Sequence, residues 1–399
     1  MRIAFLTPEY ITEPNYDGGL ANYLHSVTRA LIETGHKPIV IVSSDRDESF
    51  DYRGVQVIRT NINKFPYELL GRLPLGRYGQ LVQWIWQSWT LNRKLRKIHR
   101  RLKIDVAHFT SYSATALFRP KYIPAVVRIS SLQSLLDKAY ENHSNLAASF
   151  LYKLELMSFK KADRLICPSV LLANAVEKLT GSPVELIEGP YLHQDETSDR
   201  GVYNRVLKEK DYALFFGSVG LLKGAKIIAD ILFLLLENHR SLFFVFVGKD
   251  TIYKGGSMMH YVWKKAGIHR DRVLYLGKMR HKQLYPIIEQ ARLVVLPSRI
   301  DNFPNTCIEA MAQGKITIGT AGASFEQLIS DGENGFLCKI DDSRSLLDTI
   351  EKALGLSEDE KFEIIACAKE RIGQISPDIV LNKLISIYEE VSTAESHKC

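Results

Sequence analysis

The sequence predicts an α/β protein built of two doubly wound domains, each a mostly parallel sheet flanked by helices. Three observations carry that prediction. Short runs that are apolar on both faces alternate with helical patterns along almost the whole chain, as buried parallel strands and their crossovers do. The alternation breaks near 190–208, where the stretch GPYLHQDETSDRGVYN is polar, turn-rich and without period. A chain of 399 residues exceeds one ordinary core and suits two domains of roughly 150–200 residues each.

Taken in order, the first-half strands are expected at 2–8, 38–44, 55–60, 105–111, 125–131, 164–169 and 184–189. After the first of them, GLANYLHSVTRALIETG sets Leu20, Tyr23, Leu24, Val27 and Leu31 at helical spacing, and Gly35 stops the helix. Asn145 to Lys161 reads as another helix. In the second half the strands fall at 212–218, 242–248, 273–277, 293–298 and 315–320, with HKQLYPIIEQA (281–291) as a helix between two of them. A last helix runs from about Pro377 to Val391, and STAESHKC beyond it is expected to fray. The domains so bounded are 1–195 and 205–375, with the helix of 376–399 expected to pack back on the first.

One segment departs from the alternation. Residues 64–103 read as a helical insertion with Trp84, Trp86 and Trp89, closing in RKLRKIHRRLK. Two readings stay open. The tryptophans pack on the first domain and the basic face is solvated, or residues 84–103 form an interfacial surface that meets anionic lipid. Nucleic acid is disfavoured, because no recognised nucleic-acid module accompanies the charge.

Composition excludes other classes. With 46% hydrophobic and 24% charged residues the chain is globular. No apolar run reaches the roughly 18–20 residues of a membrane span; the nearest, Ile227 to Leu236, is interrupted by Asp230. The opening MRIAFLTPEY turns polar too soon for a signal peptide and reads as a strand. The five cysteines, Cys167, Cys307, Cys338, Cys367 and Cys399, have no metal-site or redox spacing, which suggests reduced thiols in the cytoplasm. A net charge of +7 suits an anionic ligand or an anionic membrane face.

Two turns have the chemistry of phosphate sites. Gly18 and Gly19 lie between the first strand and the first helix, where glycine admits a ligand to the backbone and the helix offers unpaired amides. DGGLANYL lacks the third glycine of a nicotinamide fingerprint. The corresponding stretch of the second half is FFGSVGLLKGAKII (215–228). There a strand ends at Gly217, Ser218 follows, and Lys223 precedes the next helix, adding a full charge to its dipole. Such a site suits a diphosphate. Read structurally, the same turns are tight βα connections and Lys223 an ordinary surface lysine.

The stretch SRIDNFPNTCIEAMAQG (298–314) sets Asp301 and Glu309 across one loop and a helix start. Thr306 and Glu309 have the spacing of a capping box, Pro304 holds Phe303 extended, and Gly314 ends the helix. That account leaves Asp301 and the bulk of NFPN unexplained. A loop that enters a helix directly after a parallel strand lies at the carboxyl end of the sheet, where ligands bind. The amides around Asn305 to Cys307 would face a phosphate, and the two carboxylates suit hydroxyls of a sugar and a ribose.

These motifs resemble the retaining glycosyltransferases of family 4, whose architecture is GT-B: two Rossmann-like domains facing a central cleft. The family pattern is an acidic residue, seven residues, then Glu and Ala-x-Ala-x-Gly. Asp301, Glu309 and AMAQG match it, with Asp for the commoner first Glu. The loop 215–228, VFVGKD (245–250), VLYLGKM (273–279), VVLPS (294–298) and SFEQLISDGENGFL (324–337) follow in the family's order, as do 18–36 and ADRLICPS (162–169) in the first half.

The resemblance implies roles by position. Glu309 would hold the ribose, Asp301 with the stretch Asn302, Phe303, Pro304, Asn305 and Thr306 the donor sugar, and Lys223 with the loop at Gly217 and Ser218 the diphosphate. The backbone at Lys278 and Met279 would meet the base, and Gly18 and Gly19 would border the donor phosphate and the acceptor. Lys223, Asp301 and Glu309 are thereby placed at the chemistry. Two positions depart from the family: Ser218 stands where an Arg is usual, with Lys226 or Arg299 as substitutes, and Ser130 stands where a His is frequent. Arg128 shares a strand face with Ser130, so both are candidate sugar or acceptor contacts.

The implied reaction transfers a hexose, with retention, from a nucleotide-sugar donor to a saccharide or lipid-linked acceptor in polysaccharide biosynthesis. UDP-glucose is the first choice of donor. No metal or other cofactor is expected, and the implied location is the cytoplasm, at the cytoplasmic face of a membrane. The alternatives are a nucleotide-sugar epimerase or phosphorylase of the same architecture, and a nucleotide-binding protein without turnover.

Overall fold

A computed structural model describes residues 1–14, 19–63, 76–135, 146–191 and 197–396. The chain divides into two compact units, Met1–Pro190 with Ser376–Cys399, and Tyr191–Ile375.

The first unit holds an eight-stranded sheet. Its strands are β1 (Arg2–Thr7), β2 (Lys37–Ser44), β3 (Glu48–Tyr52), β4 (Val55–Asn61), β5 (Val106–Thr110), β6 (Ala125–Arg128), β7 (Arg164–Cys167) and β8 (Val184–Leu186). They lie in the order β3-β4-β2-β1-β5-β6-β7-β8. All pairs are parallel except β3 with β4. β3 is absent from the sequence expectation because ESFDY is a half-exposed edge with no apolar run. One sheet face packs Ala107, Phe109, Val127 and Ile129 against Leu91, Leu95 and Ile98 of the helix Gly76–Leu102. The helices Gly19–Glu33 and Pro377–Ser396 belong to the same unit, and the second touches β5 and β6.

Of the expected insertion, 64–75 lies outside the described residues, and the rest is the helix Gly76–Leu102 with the turn after it. Trp84 is 3% exposed and packs with Ala114 and Leu151. Trp86 donates its indole N–H to the Ile62 carbonyl at 2.9 Å. Trp89, 36% exposed, stacks on Trp86 and lies under the Arg93 guanidinium. The buried tryptophan anchors the helix, and Arg93, Lys97, Arg100 and Arg101 stay at least partly in solvent.

The second unit holds β9 (Asp211–Phe216), β10 (Leu242–Val247), β11 (Ile252–Tyr253), β12 (Gly256–Ser257), β13 (Val273–Tyr275), β14 (Leu293–Val295), β15 (Thr317–Ala321) and β16 (Phe336–Lys339). Six form a sheet in the order β13-β10-β9-β14-β15-β16, while β11 and β12 make a separate hairpin. The helix Ala225–Asn238 follows β9 because Ile227, Ile228, Ile231, Leu232, Leu235 and Leu236 fall on buried faces. Each such side chain contributes about 1.5–3 kcal/mol of burial. The strand order reverses between β9 and β14. At such a switch point the connections lead to opposite faces of the sheet, and ligands bind at the carboxyl ends of its strands.

Candidate active site

The loops after β9 and β14 meet in the second unit. Gly217 takes φ 129 and donates to the Val247 carbonyl at 2.9 Å. Gly224, at φ 80, precedes the helix Ala225–Asn238, and a Cβ there would sit 1.9 Å from the Pro297 carbonyl oxygen. Arg299 donates its amide to the Leu222 carbonyl at 2.8 Å. These contacts seat the turn Gly217–Gly224 on the segment that follows β14, and so bring together residues 78 apart in sequence: the Lys223 ammonium forms an ion pair with the Asp301 carboxylate. Asp301 is 13% exposed, and its other oxygen accepts the Asn302 amide at 3.0 Å.

The helix after this loop is Asn305–Ala312. The expected capping box is not formed. Pro304 is the cap residue, in extended conformation, so Thr306 lies inside the first turn and cannot serve as the cap. Cys307 donates to the Pro304 carbonyl at 2.9 Å, so its amide is taken. Among the described residues, the amides of Asn305 and Thr306 carry no acceptor, and they are the two orphan donors of this end. Gly314, at φ 66, follows the helix and donates to Met311 at 2.9 Å, ending it as expected. Burial, and after it the Asp301 charge, pushes the Cys307 thiol far up, so it is an inert core group.

Glu309 lies one turn into the helix. Its Oε1 is 3.6 Å from Nε2 of His281, at the start of the helix His281–Gln290. Burial, followed by the Glu309 charge, pushes Tyr191 up to about 12. His281 and Tyr191 are not picked out by the sequence reasoning; nothing but the position of His281 at a helix start hints at either. Ser218 and Lys278 are exposed or nearly so, and Met279 is half-buried after β13. Both substitutes for the family arginine are engaged: Lys226 pairs with Asp230 at 2.8 Å, and Arg299 grips Asp341 at 2.8 and 2.9 Å.

In the first unit Gly18 lies outside the described residues, and Gly19 opens the helix Gly19–Glu33. Arg128 is the last residue of β6 and donates to the Ser130 hydroxyl at 2.9 Å, which is the shared face expected of them.

Residues 202–368 match the family described as Glycosyl transferases group 1, and residues 17–190 match Glycosyltransferase Family 4. The chain belongs to the family 4 glycosyltransferases. Its relatives include an uncharacterized glycosyltransferase of Methanocaldococcus jannaschii, 21% identical over 98% of each chain. The alpha-D-kanosaminyltransferase of Streptomyces kanamyceticus is 22% identical over 92% of this transferase and 100% of its own length. Among solved structures, sucrose-phosphate synthase from Thermosynechococcus elongatus matches with a TM-score of 0.76 at 17% identity, covering 98% of this chain and 99% of that one. HepE of Anabaena in complex with UDP matches at 0.71 and 15% identity, over 98% and 100%. The fold of the transferase is GT-B, and nucleotide-sugar donor binding is typical of its family.

Proposed function

We propose that this transferase moves a hexose, with retention, from a nucleoside-diphosphate sugar to a hydroxyl of a saccharide or lipid-linked saccharide in polysaccharide assembly. UDP-glucose is the first donor to try. The observation that carries the reading is Lys223, held by Asp301 at the switch point beside two helix N-termini without side-chain caps. A HepE structure that holds UDP and glucose supports the choice of donor.

In the reaction, the bond between the anomeric carbon and the diphosphate oxygen breaks, and the acceptor oxygen bonds that carbon on the same face. The acceptor proton passes to the departing phosphate oxygen. Charge grows on the leaving diphosphate, and Lys223 with the amides of Asn305 and Thr306 opposes it. This reading calls on no metal. Asp301 then holds hydroxyls of the transferred sugar and Glu309 those of the ribose, while the backbone at Lys278 and Met279 takes the base. The exposed basic face with Trp89 supports a peripheral contact with anionic lipid at the cytoplasmic membrane face.

The test is a thermal-shift screen of UDP-, GDP- and ADP-sugars, followed by donor hydrolysis, on wild type and Glu309→Ala. One nucleotide sugar should stabilise the wild type and be hydrolysed to its nucleoside diphosphate. Glu309→Ala should weaken its binding by about tenfold to a hundredfold, the worth of hydrogen bonds to a charged group. A screen with no shift at all would sink the reading.

A further inference from the structure

Arg128 is a cation in the wrong place for a structural residue. It ends β6 and is only 5% exposed. Among the described residues no carboxylate pairs with it. Its guanidinium lies 3.6 Å above the Tyr23 ring, in the helix that begins at Gly19. Of its five N–H donors, the hydrogen bond to Ser130 occupies one among the described residues, and the buried Nε has no partner.

The neighbours do not neutralise it. His108 of β5 is fully buried, bonds Tyr388 through Nδ1 at 2.7 Å, and leaves Nε2 without a partner. Burial, and then the Arg128 charge, holds this imidazole down to about 3, so it is neutral. Burial raises Tyr23 and Tyr388, and lifts Cys167 to about 11. An isolated charge in such surroundings is costly, and stacking on one aromatic ring offsets a small part of the cost.

Beside the guanidinium lies Ser130. That residue is half-buried, and its amide donates to Ser111 Oγ at 3.0 Å. Ser111 in turn donates to the Ser131 carbonyl. The Ser130 hydroxyl therefore stands against the guanidinium, with Ser111 holding the Ser130 backbone, at the carboxyl ends of β5 and β6, where ligands of parallel sheets lie.

We propose that Arg128 and Ser130 are the receptor for an anionic group, a carboxylate or a phosphate, carried by the sugar substrate. The guanidinium fork suits either group as a bidentate partner. This deepens the transferase reading and rests on it only in making the anion part of a sugar. It narrows the substrate class from hexoses in general to acidic or phosphorylated ones, on the acceptor or on the donor sugar.

Calorimetry on the full chain tests it. Glucuronate and glucose 6-phosphate are compared with glucose, each with UDP present, and UDP-glucuronate is compared with UDP-glucose; UDP alone is the control. In one of these sets the anionic member should bind about tenfold to a hundredfold tighter to the wild type. Arg128→Gln should reduce that preference to within about threefold and leave UDP affinity unchanged, and Arg128→Lys, which keeps charge but not the fork, should fall between. The set that responds tells whether the anion rides on the acceptor or the donor. Equal binding of anionic and neutral members by the wild type overturns the proposal, and that comparison stands even where Arg128→Gln does not fold. So does a preference that survives in Arg128→Gln. Failure of UDP alone to bind would instead count against UDP as the donor nucleotide, and the free-sugar set would still report on Arg128.

Discussion

Gly224 is the hinge on which the placement of Lys223 rests, and its replacement by alanine separates two costs. Its φ of 80 is left-handed, and a Cβ would lie 1.9 Å from the Pro297 carbonyl oxygen. Gly332, in the same unit, has φ 81, but a methyl group added there would meet nothing within 4 Å. Gly332→Ala should therefore cost only the left-handed penalty, about 1–2 kcal/mol. Gly224→Ala adds a displacement. Cβ contacts do not fall below 3.0 Å, so the turn or the Pro297 carbonyl has to give by about 1.1 Å, the gap from 1.9 to 3.0 Å. Forcing such a shift in a packed region costs roughly 1–3 kcal/mol more. Urea unfolding of the two variants reads the difference directly. The same movement displaces the adjacent Lys223, and misplacement by about 1 Å is worth on the order of a hundredfold in a reaction. The stabilisation of Gly224→Ala by the preferred nucleotide sugar should fall, while that of Gly332→Ala should not. If the two variants are equally stable within about 0.5 kcal/mol and respond alike to nucleotide, the close approach does not seat the lysine.

Lys223→Met should lower kcat by about 10²–10³, the loss typical of a removed charge-stabilising donor, with acceptor KM little changed in steady-state kinetics. A fall in melting temperature with kcat intact would make the Lys223–Asp301 pair structural alone. His108 predicts a pH dependence of stability in the first unit. Its folded pKa, about 3, lies below the unfolded value of about 6.5, so the unfolded chain binds the proton first. Stability is full above about pH 6.5 and is lost as pH falls toward 3, by up to about 1.4 kcal/mol per pH unit for this group. Urea midpoints at pH 7, 6 and 5 should fall less steeply in His108→Gln than in wild type; parallel slopes would refute the assignment.

Much of the fold is legible in the sequence because its strands are buried on both faces. LFFVFV of β10 and YALFF of β9 can bury their side chains only inside a layered sheet. β3 and β16 escape such a reading for the opposite reason, being short and partly exposed edge strands. At the site, the spacing of Asp301 and Glu309 marks the loop, but the ion pair with Lys223 arises from the adjacency of β9 and β14, which no local pattern encodes. The alternation of strand faces places Arg128 with Ser130. It says nothing of burial, because burial depends on which helix covers the strand, here the one carrying Tyr23. The capping-box spacing misleads: the chain turns into the helix at Pro304, so Thr306 comes two residues too late.

That missing cap belongs to a pattern. In the second unit, Ser257, Asp342 and Ser357 cap the helices Met258–Ala266, Ser343–Leu354 and Glu358–Gly373 with their side chains. The helices that begin after Gly224, Arg280 and Pro304 have no side-chain cap, and neither has the short helix Gly201–Val206, which follows no strand of this unit's sheet. A cap is worth about 1 kcal/mol, so these ends forgo it. Lys223 precedes the helix after Gly224, His281 opens the one after Arg280 opposite Glu309, and Asp301 leads into the one after Pro304. These three follow strands of the sheet, β9, β13 and β14, at their carboxyl ends. A side-chain cap would fill the space where an anionic ligand accepts those amides. Three ends without a side-chain cap, at the carboxyl edge of one sheet, suit the proposed site for a diphosphate and its sugar.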